Sequence, residues 1–133
     1  MTKLNQFIED MRATSSSTQK VQIIKDADPF IHKVLEYTYN PFKQYYVTSK
    51  TCKKNSNLIN DQFSKGYKDI FHLLDDLTNR VVTGHDAIAL VNGCANKFKD
   101  NELIYKIIDK NLDIRAGDKV INKAVPNLVP TFS

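Results

Sequence analysis

Apolar residues recur along most of the chain at helical spacing rather than in alternation. Leu4, Phe7, Ile8 and Met11 fall on one face of a 3.6-residue period. The run Ser15-Ser16-Ser17-Thr18 interrupts that stripe and supplies capping hydroxyls for a second helix, with Val21, Ile23 and Ile24, ending near Asp26. Asp28-Pro29 reads as a helix start, an N-cap residue followed by proline at the first helical position. Phe30, Ile31, Val34, Leu35 and Thr38 form the stripe behind it. Asn40-Pro41 stops that helix and can start another containing Phe42, Tyr45 and Tyr46. From Thr48 to Lys65 the pattern is lost, and a long polar, basic loop is expected, ended by Gly66. Ile70, Phe71, Leu73, Leu74 and Leu77 mark a strongly apolar helix. Thr83-Gly84 opens the next, with Ala87, Ile88, Val91, Cys94, Ala95 and Phe98 inside. Asp100 can cap a helix carrying Leu103, Ile104, Ile107, Ile108 and Leu112. A last short pattern, Val120, Ile121, Ala124 and Val125, is stopped by Pro126. No segment sustains the period of two that a half-buried strand needs. The expectation is an all-α fold, a compact single domain over residues 1–133, with about seven or eight short helices.

Composition agrees with that picture. Four glycines and four prolines favour long regular elements over a turn-rich sandwich. The chain's 133 residues suffice for one core without disulfides or metals. Cys52 and Cys94 belong to no CxxC pair and no His/Cys cluster, which predicts reduced thiols in an intracellular protein. No signal-like N-terminus is present, and no apolar run approaches the roughly 18 residues of a membrane span, so no membrane partner is expected.

Charge changes the picture more. The net charge is only +4, but between Lys43 and Lys68 six lysines (Lys43, Lys50, Lys53, Lys54, Lys65 and Lys68) face one acid, Asp61. From Asp69 to Asp109 acids outnumber bases. Such asymmetry fits a face for a polyanion, and equally a loop kept soluble by lysines.

Candidate catalytic chemistry is missing. His32, His72 and His85 have no ligand spacing, and Asp75-Asp76 are neighbours on a helix that point apart. Neither GxxxxGK[ST] nor GxGxxG occurs. Two helix starts, by contrast, suit an anion. In Arg80-Val81-Val82-Thr83-Gly84 a base, a hydroxyl and a glycine precede free backbone N–H groups. The same residues also make an ordinary cap. In Arg115-Ala116-Gly117-Asp118-Lys119 the composition repeats, and Lys119, Asn122 and Lys123 share the face opposite Val120, Ile121, Ala124 and Val125. Asp118 suits the helix dipole but would repel a phosphate. The aromatic set Tyr37, Tyr39, Phe42, Tyr45, Tyr46 and Tyr67 offers either stacking surfaces or core.

Several of these blocks carry a family likeness. Asp109-Lys110-Asn111-Leu112-Asp113-Ile114-Arg115-Ala116-Gly117, then Ile121-Asn122-Lys123, then Val125-Pro126-Asn127-Leu128-Val129-Pro130, resembles the end of the N-terminal DNA-binding domain of ATP-dependent DNA ligases, nearest to those of T-even-like phages. Thr18-Gln19-Lys20 with Ile23-Ile24 resembles an early helix of that domain. Leu35 to Tyr39 with Gln44-Tyr45-Tyr46 resembles its Leu-Thr-Tyr and Gln-Tyr-Tyr segment. Thr83-Gly84 with Ala87-Ile88 resembles its Leu-Thr-Gly-x-x-Ala-Ile helix start. The blocks follow in order from Thr18 to Pro130.

The resemblance implies a helical domain that grips nicked duplex DNA through phosphates on the minor-groove side, without reading sequence. It implies a ligase's adenylation and OB-fold domains as partners in cis, and ATP and Mg2+ as cofactors of those domains, not of this chain. The adenylated lysine of a Lys-x-Asp-Gly motif is absent, since Lys68-Asp69-Ile70 and Lys99-Asp100-Asn101 do not match it. The chain stops where the linker to that domain would begin, so the expectation is an excised domain or a free-standing binding protein, in the host cytoplasm if phage-encoded. No catalytic residue and no metal ligand is expected. DNA contacts are expected at Thr83, Gly84, Arg115, Gly117, Lys119, Asn122 and Lys123, with Lys50, Lys53 and Lys54 from the basic loop. There are departures. The phage pattern has glycine where Arg115 stands and leucine where Val82 stands, and the loop from Lys50 to Lys65 does not align. The competing expectation is a helical protein-interaction domain whose helix starts are plain caps.

Overall fold

Capping side chains set where most of the helices begin. The computed structural model describes residues 2–59, 65–98 and 101–130, and among these are eight α-helices and no strand. The all-α expectation therefore holds. Asp61 and Asp100 lie outside the described residues. The contacts divide the chain into two compact units. One joins the N-terminal part, through Phe42, to the C-terminal part from Lys110 onwards; the other is Lys43–Asp109.

In the first unit, α1 (Thr2–Arg12) buries Leu4, Phe7, Ile8 and Met11, the stripe its spacing predicts. α2 (Ser17–Asp26) starts on Ser16, whose hydroxyl accepts the Gln19 N–H. Of its apolar residues only Ile24 is buried; Val21 and Ile23 are half-exposed, and Lys20 is buried instead. α3 (Pro29–Tyr39) starts on Asp28, whose carboxylate accepts the Ile31 N–H, and it buries Ile31, Val34, Leu35, Tyr37 and Thr38. α2 packs against α1 and, more extensively, against the last helix of the chain, Asp118–Ala124.

The chain after α3, where the second unit begins, departs from expectation twice. No helix follows Pro41. Asn40 turns its side-chain oxygen onto the Phe42 N–H at 2.8 Å, and this Asx turn directs the chain out of helix. The supposed loop contains a helix, α4 (Ser49–Lys54), started by Thr48, whose hydroxyl accepts the Thr51 N–H. Cys52 is the one buried residue of this helix, so no stripe announces it. Its anchors come from elsewhere in the unit: the Ser49 N–H and hydroxyl both bond Asp109. α5 (Ile70–Thr78) is capped by Asp69 and buries the five apolar residues expected. α6 (Gly84–Phe98) is the centre of the unit, packed by α4, α5 and α7 (Asn101–Ile108). Buried Asn92 of α6 ties them together. Its Nδ2 faces the carbonyls of Cys52, Asn55 and Leu58 at 3.2, 3.3 and 3.0 Å, and its Oδ1 accepts the Tyr105 hydroxyl at 3.0 Å.

Candidate nucleic-acid interface

The expected contact residues divide between the two units. In the first, the chain from Lys110 to Gly117 is a turn wound far from regular backbone. Lys110, Asp113 and Arg115 all have left-handed φ, at 61°, 58° and 57°. Such φ costs a residue with a side chain about 1–2 kcal/mol. Several contacts hold the turn, among them a bond from the Leu112 N–H to the Tyr39 hydroxyl at 3.1 Å. Lys110 donates to the Asn40 carbonyl at 2.6 Å, the Asp113 N–H bonds Asn111 Oδ1 at 2.8 Å, and Lys20 donates to the Arg115 carbonyl at 2.8 Å. Lys20 is only 7% exposed, so its ammonium serves the turn rather than a ligand. A left-handed φ is the conformation that glycine adopts without cost. This chain carries arginine there at a cost, and the Arg115 side chain is exposed.

The final helix, α8 (Asp118–Ala124), buries Ile121 and Ala124, while Val120 and Val125 stay half-exposed, short of the burial expected. Gly117 is its N-cap, extended at φ −107° and without a side-chain bond to the helix. Lys119 and Lys123 are exposed. Neither they nor Arg115 make an ion pair among the described residues. Asn122 is placed differently from the lysines. Its amide donates to the Val129 carbonyl at 2.8 Å and accepts the Val129 N–H at 2.9 Å. That pair fastens the tail, with Val129 buried, and engages both ends of the amide.

In the second unit Lys50, Lys53 and Lys54 are exposed on α4, three and four residues apart, so they share one helix face. Lys53 is held 4.0 Å from Glu102 and 5.2 Å above the Tyr105 ring; Lys50 and Lys54 make no ion pair among the described residues. Gly84 opens α6 at φ +59° with open space around it, so backbone conformation, not crowding, calls for glycine. Thr83 precedes it, exposed, its carbonyl accepting the Ala87 N–H at 3.3 Å. The aromatic set splits. Tyr37, Tyr45 and Tyr67 are buried, Tyr39 is half-buried, and Phe42 and Tyr46 are 60% and 64% exposed.

Two of the three histidines have structural neighbours. His32 Nε2 lies 2.6 Å from the Ile24 carbonyl, and the His72 ring lies 4.4 Å from Tyr67. Tyr67 donates to Asp76 at 2.6 Å, and burial together with that carboxylate pushes its hydroxyl pKa up. Burial also raises both thiols to about 11, with Asp109 adding to the effect at Cys52. No group of three His, Cys, Asp or Glu among the described residues is placed to hold a metal ion. No described helix is long and apolar enough to cross a membrane.

Spacing passed over Lys20 and Asn92. Each carries a signal in retrospect: a polar residue in an apolar stripe, Lys20 four before Ile24 and Asn92 four after Ile88. The chain matches no family model and no curated protein.

Proposed function

We propose that the chain binds duplex DNA through its phosphates on the minor-groove side, without sequence preference, as the part of an ATP-dependent DNA ligase that holds the enzyme at nicks. The observation carrying this reading is the set of exposed cations that make no ion pair among the described residues. Arg115, Lys119 and Lys123 stand beside a turn whose strained backbone is held from within, and Lys50 and Lys54 stand on α4. Stability alone gives no reason to keep arginine on a backbone that suits glycine. A side chain needed outside the fold does. The four sequence blocks that resemble the ligase domain point the same way. The role is binding; the nucleotide chemistry would belong to other domains.

Counterion release makes the test quantitative. Each phosphate neutralised contributes about −0.9 to the slope of log K against log salt. Titrating a labelled nicked duplex at several salt concentrations should give a steep slope, equal for unrelated sequences. Replacing Arg115 and Lys119 together by alanine should flatten the slope by about two and weaken all sequences alike. Salt-independent or strongly sequence-selective binding would overturn the reading.

A further inference from the structure

The unit Lys43–Asp109 exposes an aromatic–cation pair that its fold does not require. Tyr45 is 2% exposed and belongs to the core; its neighbour Tyr46 is 64% exposed. The Arg80 guanidinium lies over the Tyr46 ring, 4.3 Å from its centroid. Arg80 makes no ion pair among the described residues, so its N–H edges have no carboxylate to satisfy. Both residues have left-handed backbones, φ 62° at Tyr46 and 56° at Arg80. The turn at Arg80 is fixed by its own N–H on the Leu77 carbonyl and by the Val81 N–H on the Asp76 carbonyl, at 3.2 and 2.9 Å. Val81 is left 67% exposed.

An exposed cation–π contact is among the weaker interactions in a protein, and left-handed backbone is unfavourable for any side chain larger than glycine. Two strained positions that meet in one exposed stack are therefore poorly explained by stability. Their chemistry is complementary to a nucleotide. The guanidinium lies over the Tyr46 ring, much of the ring is open to a flat partner, and the guanidinium makes no ion pair among the described residues. An aromatic face takes any base, because every base has a π-face. A guanidinium rim takes phosphate.

We propose that Tyr46 and Arg80 form a stacking clamp for the nick itself. Tyr46 lies against the base-pair face that a strand break allows to open, and Arg80 holds the adjoining phosphate. This rests on the DNA-binding reading above and adds to it the feature recognised, a break rather than continuous duplex. The cations of the interface supply affinity for any duplex; the clamp supplies the preference for a nicked one.

The test compares the full chain with its variants on nicked and intact duplexes of one sequence, at fixed salt. The wild-type chain should bind the nicked duplex more tightly, roughly tenfold for one stacked base. Tyr46→Ala should abolish that ratio while leaving intact-duplex affinity and the salt slope unchanged. Tyr46→Phe, which keeps the ring, should retain it. Arg80→Ala should lose part of the ratio and reduce the slope by about one. Unchanged helical circular dichroism would show that each variant folds, as exposed positions permit. A nicked-to-intact ratio that Tyr46→Ala leaves intact overturns the clamp while DNA binding stands. A wild-type chain that binds neither duplex overturns the functional reading itself.

Discussion

Asn92 is the residue whose removal the structure penalises most specifically. Its amide carries two protons that face three carbonyls, and its oxygen takes the Tyr105 hydroxyl, all at a site 4% exposed. Two amide protons and one hydroxyl amount to about three bonds, each contributing about 1 kcal/mol net. Asn92→Ala loses all three and leaves carbonyls at the end of α4 unmet. Better helix propensity returns about 0.5 kcal/mol. The expected loss is about 2–3 kcal/mol, or a melting temperature lower by about 6–10 °C for a chain of this size. Tyr105→Phe removes one bond and should cost about 1 kcal/mol. In the Asn92→Ala background the same change should cost almost nothing, because its partner is gone. Urea denaturation followed by circular dichroism measures all four members of this cycle. Amide hydrogen exchange adds a local readout: α4, which has little apolar burial of its own, should lose protection first. A loss below about 0.5 kcal/mol for Asn92→Ala, or full additivity with Tyr105→Phe, would refute the account of α4 as a helix held by Asn92.

Backbone strain and buried thiols give further expectations. Arg115→Gly relieves the left-handed φ and should raise stability by about 1 kcal/mol while lowering DNA affinity; thermal melting and the salt titration read the two effects separately, and a less stable variant would contradict the strain argument. Gly84→Ala meets no atoms but must hold φ +59°, so it should cost about 1–2 kcal/mol in the same melting assay, and a neutral result would show that the start of α6 relaxes. Burial raises Cys52 and Cys94 from 9.0 to about 11 in the folded chain. Raised folded pKa values mean that the neutral thiols contribute stability below pH 9 and lose it as pH climbs towards 11. The folded chain should therefore resist iodoacetamide at pH 8, and replacing both cysteines by alanine should remove part of the alkaline loss; labelling at the rate of a free thiol would contradict the burial.

Legibility of the fold tracked where the stabilising information is stored. α1, α3 and α5 carry it locally, in a stripe or in an acid-led cap, and each stands where its pattern predicts. α4 stores almost none locally. Six residues make less than two turns, one apolar side chain makes no stripe, and the bonds that hold the helix come from Asn92 and Asp109, far away in sequence. A periodicity argument is blind to such a helix by construction. The false helix after Pro41 has a different, local cause. Asn40 has two local options, ending one helix or closing an Asx turn, and only its bond to Phe42 decides between them.

The candidate site shows the complementary limit. The expected cations Lys50, Lys53, Lys54, Arg115, Lys119 and Lys123 are exposed, but composition says nothing of what they face. It could not sort ligand-facing from structural groups. Lys20 and Asn122 have the residue types of a phosphate contact, yet their polar atoms are engaged by the backbone at Arg115 and Val129. Gly117, expected as a contact at a helix start, has an extended backbone that any residue could adopt. The glycine-like conformation belongs to Arg115, two residues earlier. Residue type at a turn reports which side chains the backbone tolerates, and a side chain kept where it is poorly tolerated reports a demand from outside the fold. By that criterion Arg115, Tyr46 and Arg80 are the side chains whose backbone strain the proposed DNA-binding role would explain.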